Sequence, residues 1–114
     1  MSVKLLMMRS GDNVITDIEE MVIGEQVVGY FLTKPCIVRL QNPEGTTRDK
    51  SSVGFKIKMY PWMPLSKDER IPVALDWIVS ITNPVDELQT MFKKEVLKND
   101  QVDSVVGSDS SDGD

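Results

Sequence analysis

Tyr60-Pro61-Trp62-Met63-Pro64 is the stretch of this sequence best equipped for chemistry, with Lys56 and Lys58 just before it and Lys67 and Arg70 just after. Exposed aromatic rings beside lysines can stack on the bases of a single-stranded nucleic acid while the cations hold its phosphates. The same residues have a plainer use. Tyr60 and Trp62 can plug a barrel end or a subunit interface, with the prolines shaping a strand edge. Lys34 lies upstream in the same basic region, so the candidate nucleic-acid-binding residues are Lys34, Lys56, Lys58, Tyr60, Trp62, Lys67 and Arg70.

Covalent and proton-transfer chemistry is poorly provided for. The chain has no histidine and one cysteine. Ser-His-Asp and Cys-His pairs, histidine proton shuttles and histidine-containing zinc sites are therefore excluded. Cys36 lies in an apolar stretch with no cation at a fixed spacing, which fits a small buried hydrophobe better than a nucleophile. Asp17, Glu19 and Glu20 do not have the spacing of a calcium-binding loop and read as a solvated acidic face. The glycines are scattered singly, and none sits in a phosphate-cradling pattern. The expectation is a protein that is not an enzyme and uses no metal or cofactor.

Charge is segregated along the chain. The net charge is −5, and the five acids from Asp100 onward, with no base among them, account for all of it. Residues 10–26 carry Asp12, Asp17, Glu19, Glu20 and Glu25 and no base, whereas residues 34–70 carry eight bases against four acids. An overall acidic balance is thus a weak argument against a nucleic-acid partner. What matters is whether the basic middle segment faces one way.

The 114 residues, 40% of them apolar, give room for one domain with a modest core. No apolar run reaches the length of a membrane span, Met1 leads into Ser2-Val3-Lys4 without a signal-peptide pattern, and a lone cysteine suits a reducing compartment. A soluble, cytoplasmic protein with no membrane partner is expected.

Residues 3–8 suit a strand ended by the turn Ser10-Gly11-Asp12-Asn13. Residues 14–23 fit a helix through Ile15, Ile18 and Val22, and a strand through their β-branched ends. Their position between two turn signals favours strand. Residues 27–32 and 36–40 read as one long strand interrupted at Thr33-Lys34-Pro35, where Pro35 marks an edge, a bulge or a bend. After the polar turn at 42–45, Val53, Phe55, Ile57 and Met59 alternate with Gly54, Lys56, Lys58 and Tyr60, giving one buried and one basic face. Residues 71–81 form a last extended stretch, with Trp77 in the core or an interface. Residues 83–98 are predicted helical, with Asn83 as N-cap, Pro84 at the first helical position and Val85, Leu88, Phe92 and Val96 on one apolar stripe. From Asp100 the composition predicts disorder. Five strands in meander order, then one helix, suggest a small, strongly bent barrel that pairs its open edges with neighbours.

The segments VKLLMMRSGDNVITDI, VVGYFLTKPCIVRL, GFKIKMYPWMPLS and ALDWIVSI resemble Sm-like (LSm) proteins. They are most similar, at YFLTKPC, PWMPLS and DWIVSI, to a marine metagenomic family of cyanophage origin with an Sm-like fold. The resemblance covers about residues 2–98. It implies an Sm-like, five-stranded, strongly bent antiparallel sheet (a small open barrel), here over residues 1–82; with the helix read from the residues above, the expected fold class is all-β with one C-terminal helix. Residues 83–99 would be a helix packed on that barrel, and residues 100–114 an acidic tail. It also implies a closed homo-oligomeric ring, a pentamer for the phage family, and single-stranded RNA or DNA binding in nucleic-acid processing inside an infected host cell. Sm proteins place a helix before their first strand and carry Asp-x-Met-Asn and Arg-Gly motifs at the base site. This chain has its helix at the other end, and Ile23-Gly24-Glu25-Gln26, Thr33-Lys34-Pro35 and Ala74-Leu75-Asp76 reproduce neither motif. No base-binding residue is carried over.

Two functions compete. In one, a ring holds a strand of nucleic acid through its lysines and stacks bases on Tyr60 or Trp62. In the other, the ring is structural or binds proteins, its basic segment meeting the acidic 10–26 segment of the next subunit.

Overall fold

A computed structural model of the chain describes residues 2–41 and 56–98. The turn at 42–45, Val53 and Phe55 of the alternating pattern, and the acidic tail lie outside the described residues.

The strands are β1 (Val3–Met8), β2 (Asn13–Ile23), β3 (Gln26–Gln41), β4 (Lys56–Pro61), β5 (Arg70–Ala74) and β6 (Ile78–Thr82), followed by one helix, α1 (Asp86–Phe92). All pairings are antiparallel. The sheet runs β4-β3-β2-β1-β6 and is open, with β5 added to the second edge of β3. Among the described residues there are six strands, where the sequence predicts five. The predicted stretch 71–81 is cut by one 3₁₀ turn at Leu75–Trp77. Its first half pairs with β3 and its second half with β1, so the turn carries the chain from one strand to the other.

Segment 14–23 is strand throughout. Helical spacing of Ile15, Ile18 and Val22 loses to pairing on both edges, β1 on one side and β3 on the other. Gly24, at φ +67°, and Glu25 close a two-residue hairpin between the paired Ile23 and Gln26. Glycine with positive φ at the first central position suits the tight hairpin turn that matches strand twist.

β3 is continuous through Pro35, and the interruption proves to be a bulge. Ile15 pairs with Cys36 and Asp17 with Thr33, so β3 spends one residue more than β2 across Lys34-Pro35. Lys34 adopts φ +51°, uncommon for a residue with a side chain. Its N–H donates to the Glu69 carbonyl at 2.7 Å, and the Pro35 carbonyl accepts the Trp62 N–H at 2.9 Å. The bulge is also the handover point on the outer edge of β3. Before it β3 pairs with β5, and after it with β4. Proline is tolerated because it stands where the ladder changes partner and needs no donor.

One core lies on the face of Leu6, Met8, Val14, Leu32 and Val73, with Ile37, Trp62 and Ile71 packed against it. Val14 and Ile15 are consecutive and both fully buried, so the sheet is covered on both faces at that point. Gly29 is fixed by close approach. A Cβ there would meet the Val73 carbonyl oxygen at 2.6 Å, across the β3–β5 pairing. Gly29→Ala is therefore expected to destabilise the protein by roughly 1–3 kcal/mol through backbone displacement. Urea denaturation would check it.

The helical region starts later than the sequence predicts. Val85 and not Asn83 is the N-cap, with extended backbone and no capping side chain. Asn83 Oδ1 instead accepts a hydrogen bond from Lys4 Nζ at 2.6 Å. Asp86 and Glu87 occupy the first turn, where a helix dipole favours acids. The α-helix passes into a π-helical turn at Lys93–Leu97, which ends on Lys98 in the left-handed region at φ +43°. Leu88 and Phe92 of the predicted stripe are buried, whereas Val85 precedes the first helical turn and is 65% exposed. A division into two compact units falls between Pro84 and Val85. No helix among the described residues is long and apolar enough to cross a membrane.

Candidate nucleic-acid interface

β4 gives the basic face its shape. Along Lys56–Pro61 the exposed or half-exposed Lys56, Lys58 and Tyr60 alternate with the half-buried Ile57 and Met59. Register sets the neighbours: Tyr60 lies opposite Ile37, Lys58 opposite Arg39, and Lys56 opposite Gln41. Directly opposed residues share a face. The face that holds the core at Val14 and Ile37 therefore continues outward to Tyr60 and then to Arg39, Lys58 and Lys56.

Lys58 opposite Arg39 is the unusual feature. Like charges directly across an antiparallel pair repel and cost stability. Among the described residues neither cation has an ion-paired carboxylate, unlike Arg70, which pairs with Glu19. A polyanion laid over this face would turn the repulsion into attraction. Tyr60, 43% exposed, sits in line with the cations and offers a ring to a base.

The other candidates are placed differently. Arg70 is on β5 opposite Thr33, and the pairings through Asp17 and Ile15 put it on the sheet face opposite to Lys58. Its guanidinium binds Glu19 at 2.9 Å and lies 3.8 Å from the centre of the Phe31 ring. Lys34 is half-buried at the β3 bulge, apart from the β4 row. Lys67 is exposed in the loop between β4 and β5. Trp62 follows β4 directly, half-buried against the core and pinned by its N–H bond to Pro35. The structure thus brings Lys56, Lys58 and Tyr60 together on one face and puts Trp62 at its end.

Arg39 and Trp77 are the residues sequence reasoning left out of the candidate set. Arg39 stands alone in the apolar CIVRL, and only the β3–β4 register sets it beside Lys58. Trp77 is 39% exposed at the end of the 3₁₀ turn. Its carbonyl accepts the Arg9 N–H at 2.8 Å, and the Arg9 guanidinium lies 5.7 Å from the centre of its ring.

No protein-family model matches this chain, and no curated protein does. The interface therefore has to be judged on its own chemistry. Cys36 offers none: burial pushes its thiol up from the usual range, and its S–H donates to the Lys34 carbonyl at 3.6 Å. Both effects hold the sulfur protonated at neutral pH, the form that is a poor nucleophile.

Proposed function

We propose that this chain is an Sm-like, ring-forming protein that binds single-stranded RNA or DNA along the β3–β4 face and is not an enzyme. The observation that carries the binding reading is the Lys58–Arg39 cross-strand pair, flanked by Lys56 and Tyr60. Phosphates would sit on the three cations and a base on Tyr60, so position comes from charge and affinity falls with salt.

Support for the Sm-like ring comes from the open, antiparallel sheet, whose end strands β4 and β6 each pair along one edge among the described residues. Edges left open invite pairing with another copy, and a closed ring removes them. Repetition around a ring, a pentamer on the resemblance, lets modest contacts add. A role in nucleic-acid processing in the cytoplasm of a phage-infected cell belongs to the same proposal.

Native mass spectrometry with and without a short uridine-rich RNA at low salt tests both parts. The expected result is one closed oligomer that gains one RNA mass. A ring that ignores RNA would move the function to a structural or protein-binding role, and a bare monomer would remove the ring.

A further inference from the structure

Beyond Tyr60 the basic face ends, and a groove of different chemistry begins. It has a volume of about 490 Å³ and is lined by Trp62, Met63, Pro72 and Trp77 together with Ser66 and Asp68. Among the described residues, none of those lining it is a cation. Consecutive residues of β5 line it, so it runs along the free edge of that strand. Pro72 removes an N–H from the middle of that edge, which blocks regular addition of another strand there. Its lining residues bring two indoles, a carboxylate and a hydroxyl, the Ser66 Oγ accepting the Asp68 N–H at 3.0 Å.

That inventory selects a ligand. The described lining carries a carboxylate and no cation, and Asp68 would repel a phosphate. Aromatic rings accept any base by stacking, so identity has to come from the polar pair. An ionised carboxylate is acceptor-only and can take two donors side by side. Guanine presents two adjacent N–H groups on its pairing edge. Uracil presents one N–H between two carbonyls, which the carboxylate would repel. Adenine and cytosine each set an acceptor beside their amino group. The bound strand also arrives from the right direction, since Trp62 follows β4 immediately.

We propose that the groove lined by Trp62 and Trp77 receives a guanine base, stacked on indole and read by Asp68. This rests on the strand-binding reading above: phosphates go to Lys56, Lys58 and Arg39, and one base of the same strand enters the groove. Trp77 is the fixed wall, held from outside the groove by Arg9 through the backbone bond and the ring contact.

The chain has two tryptophans, so its two indole N–H signals in a ¹⁵N NMR spectrum report on the groove alone. Titration of the full chain with guanosine, which has no phosphate, is expected to shift both signals, with uridine moving neither. Asp68→Asn, a change in an exposed loop, is expected to weaken guanosine binding about tenfold, as one paired hydrogen-bond set is removed. Failure of millimolar guanosine to move either indole signal would overturn the proposal. So would a guanosine response that Asp68→Asn leaves intact, or indole shifts that follow protein concentration or a proline-rich peptide and not guanosine. Binding of a uridine-rich RNA to the same sample is scored separately. Guanosine binding without RNA binding keeps the base site and removes the strand reading, and the reverse result removes only the base site.

Discussion

Lys58→Glu is expected to lower affinity for a single-stranded RNA by more than about tenfold at low salt while leaving the fold as stable as before or slightly more so. The two effects have opposite sign because of what Lys58 faces. In the free protein it opposes Arg39, and replacing a cation by an anion turns a repulsive cross-strand pair into an attractive one, a gain of at most about 1 kcal/mol. In the complex the same change leaves one phosphate without its cation and adds a repulsion. Each phosphate of a single strand that the protein no longer neutralises reduces the slope of log affinity against log salt by roughly 0.7. In a ring the effect is repeated in every copy and grows accordingly. Arg70→Gln is the contrasting variant. Arg70 lies on the other face and is already held by Glu19 and Phe31, so RNA affinity is expected to stay within about twofold. Fluorescence anisotropy across a salt series, with urea melts of the same proteins, measures all of this. A Lys58→Glu protein that binds normally would remove the β3–β4 face as the interface.

Much of the basic face was legible from local pattern, and what was not depends on pairing between distant segments. Lys56, Lys58 and Tyr60 alternate with Ile57 and Met59, and a period of two needs no tertiary knowledge to be read. Pro35 likewise announced an irregularity, because proline cannot donate to a ladder. That the irregularity is a bulge where β3 changes partner depends on where β4 and β5 dock, and no local signal carries that. The same holds for Arg39: its importance is its position opposite Lys58, a property of register. The stretch 71–81 looked like one strand because Ile71, Val73, Ile78 and Ile81 are all strand formers. The 3₁₀ turn at Leu75–Trp77 splits it so that one half can reach β3 and the other β1. Asn83 is a strong N-cap by type, yet its side chain is engaged by Lys4, seventy-nine residues earlier in the chain, and the helix starts after Val85 without a cap. Arg70 looked like a free cation in the sequence, and its partner Glu19 is visible only in the fold.

Replacing Val79 and Ile81 together by lysine is expected to convert the proposed ring to monomers. β6 reads Ile78-Val79-Ser80-Ile81-Thr82, without a charge or a proline, and pairs only with β1 among the described residues. Val79 is 65% exposed and Ile81 40%. Proteins ordinarily blunt such an edge with lysine, proline or a covering loop, because an open apolar strand recruits another. β4 carries lysines at its own open edge, so the unprotected strand of this sheet is β6. An edge left this way is best explained by a partner that covers it, and the simplest partner is a free edge of a second copy. Two lysines would oppose such pairing by burying charge at the seam, while in the monomer Val79 is mostly exposed and a lysine at the part-exposed position 81, opposite Leu6, can extend its charge to solvent. Native mass spectrometry would then show a single subunit mass, urea melts would stay within about 1 kcal/mol of a monomeric reference, and RNA affinity would fall because the binding face is no longer repeated. A double-lysine protein that keeps its oligomeric mass would place the seam elsewhere. It would also leave the bare β6 edge to a different partner.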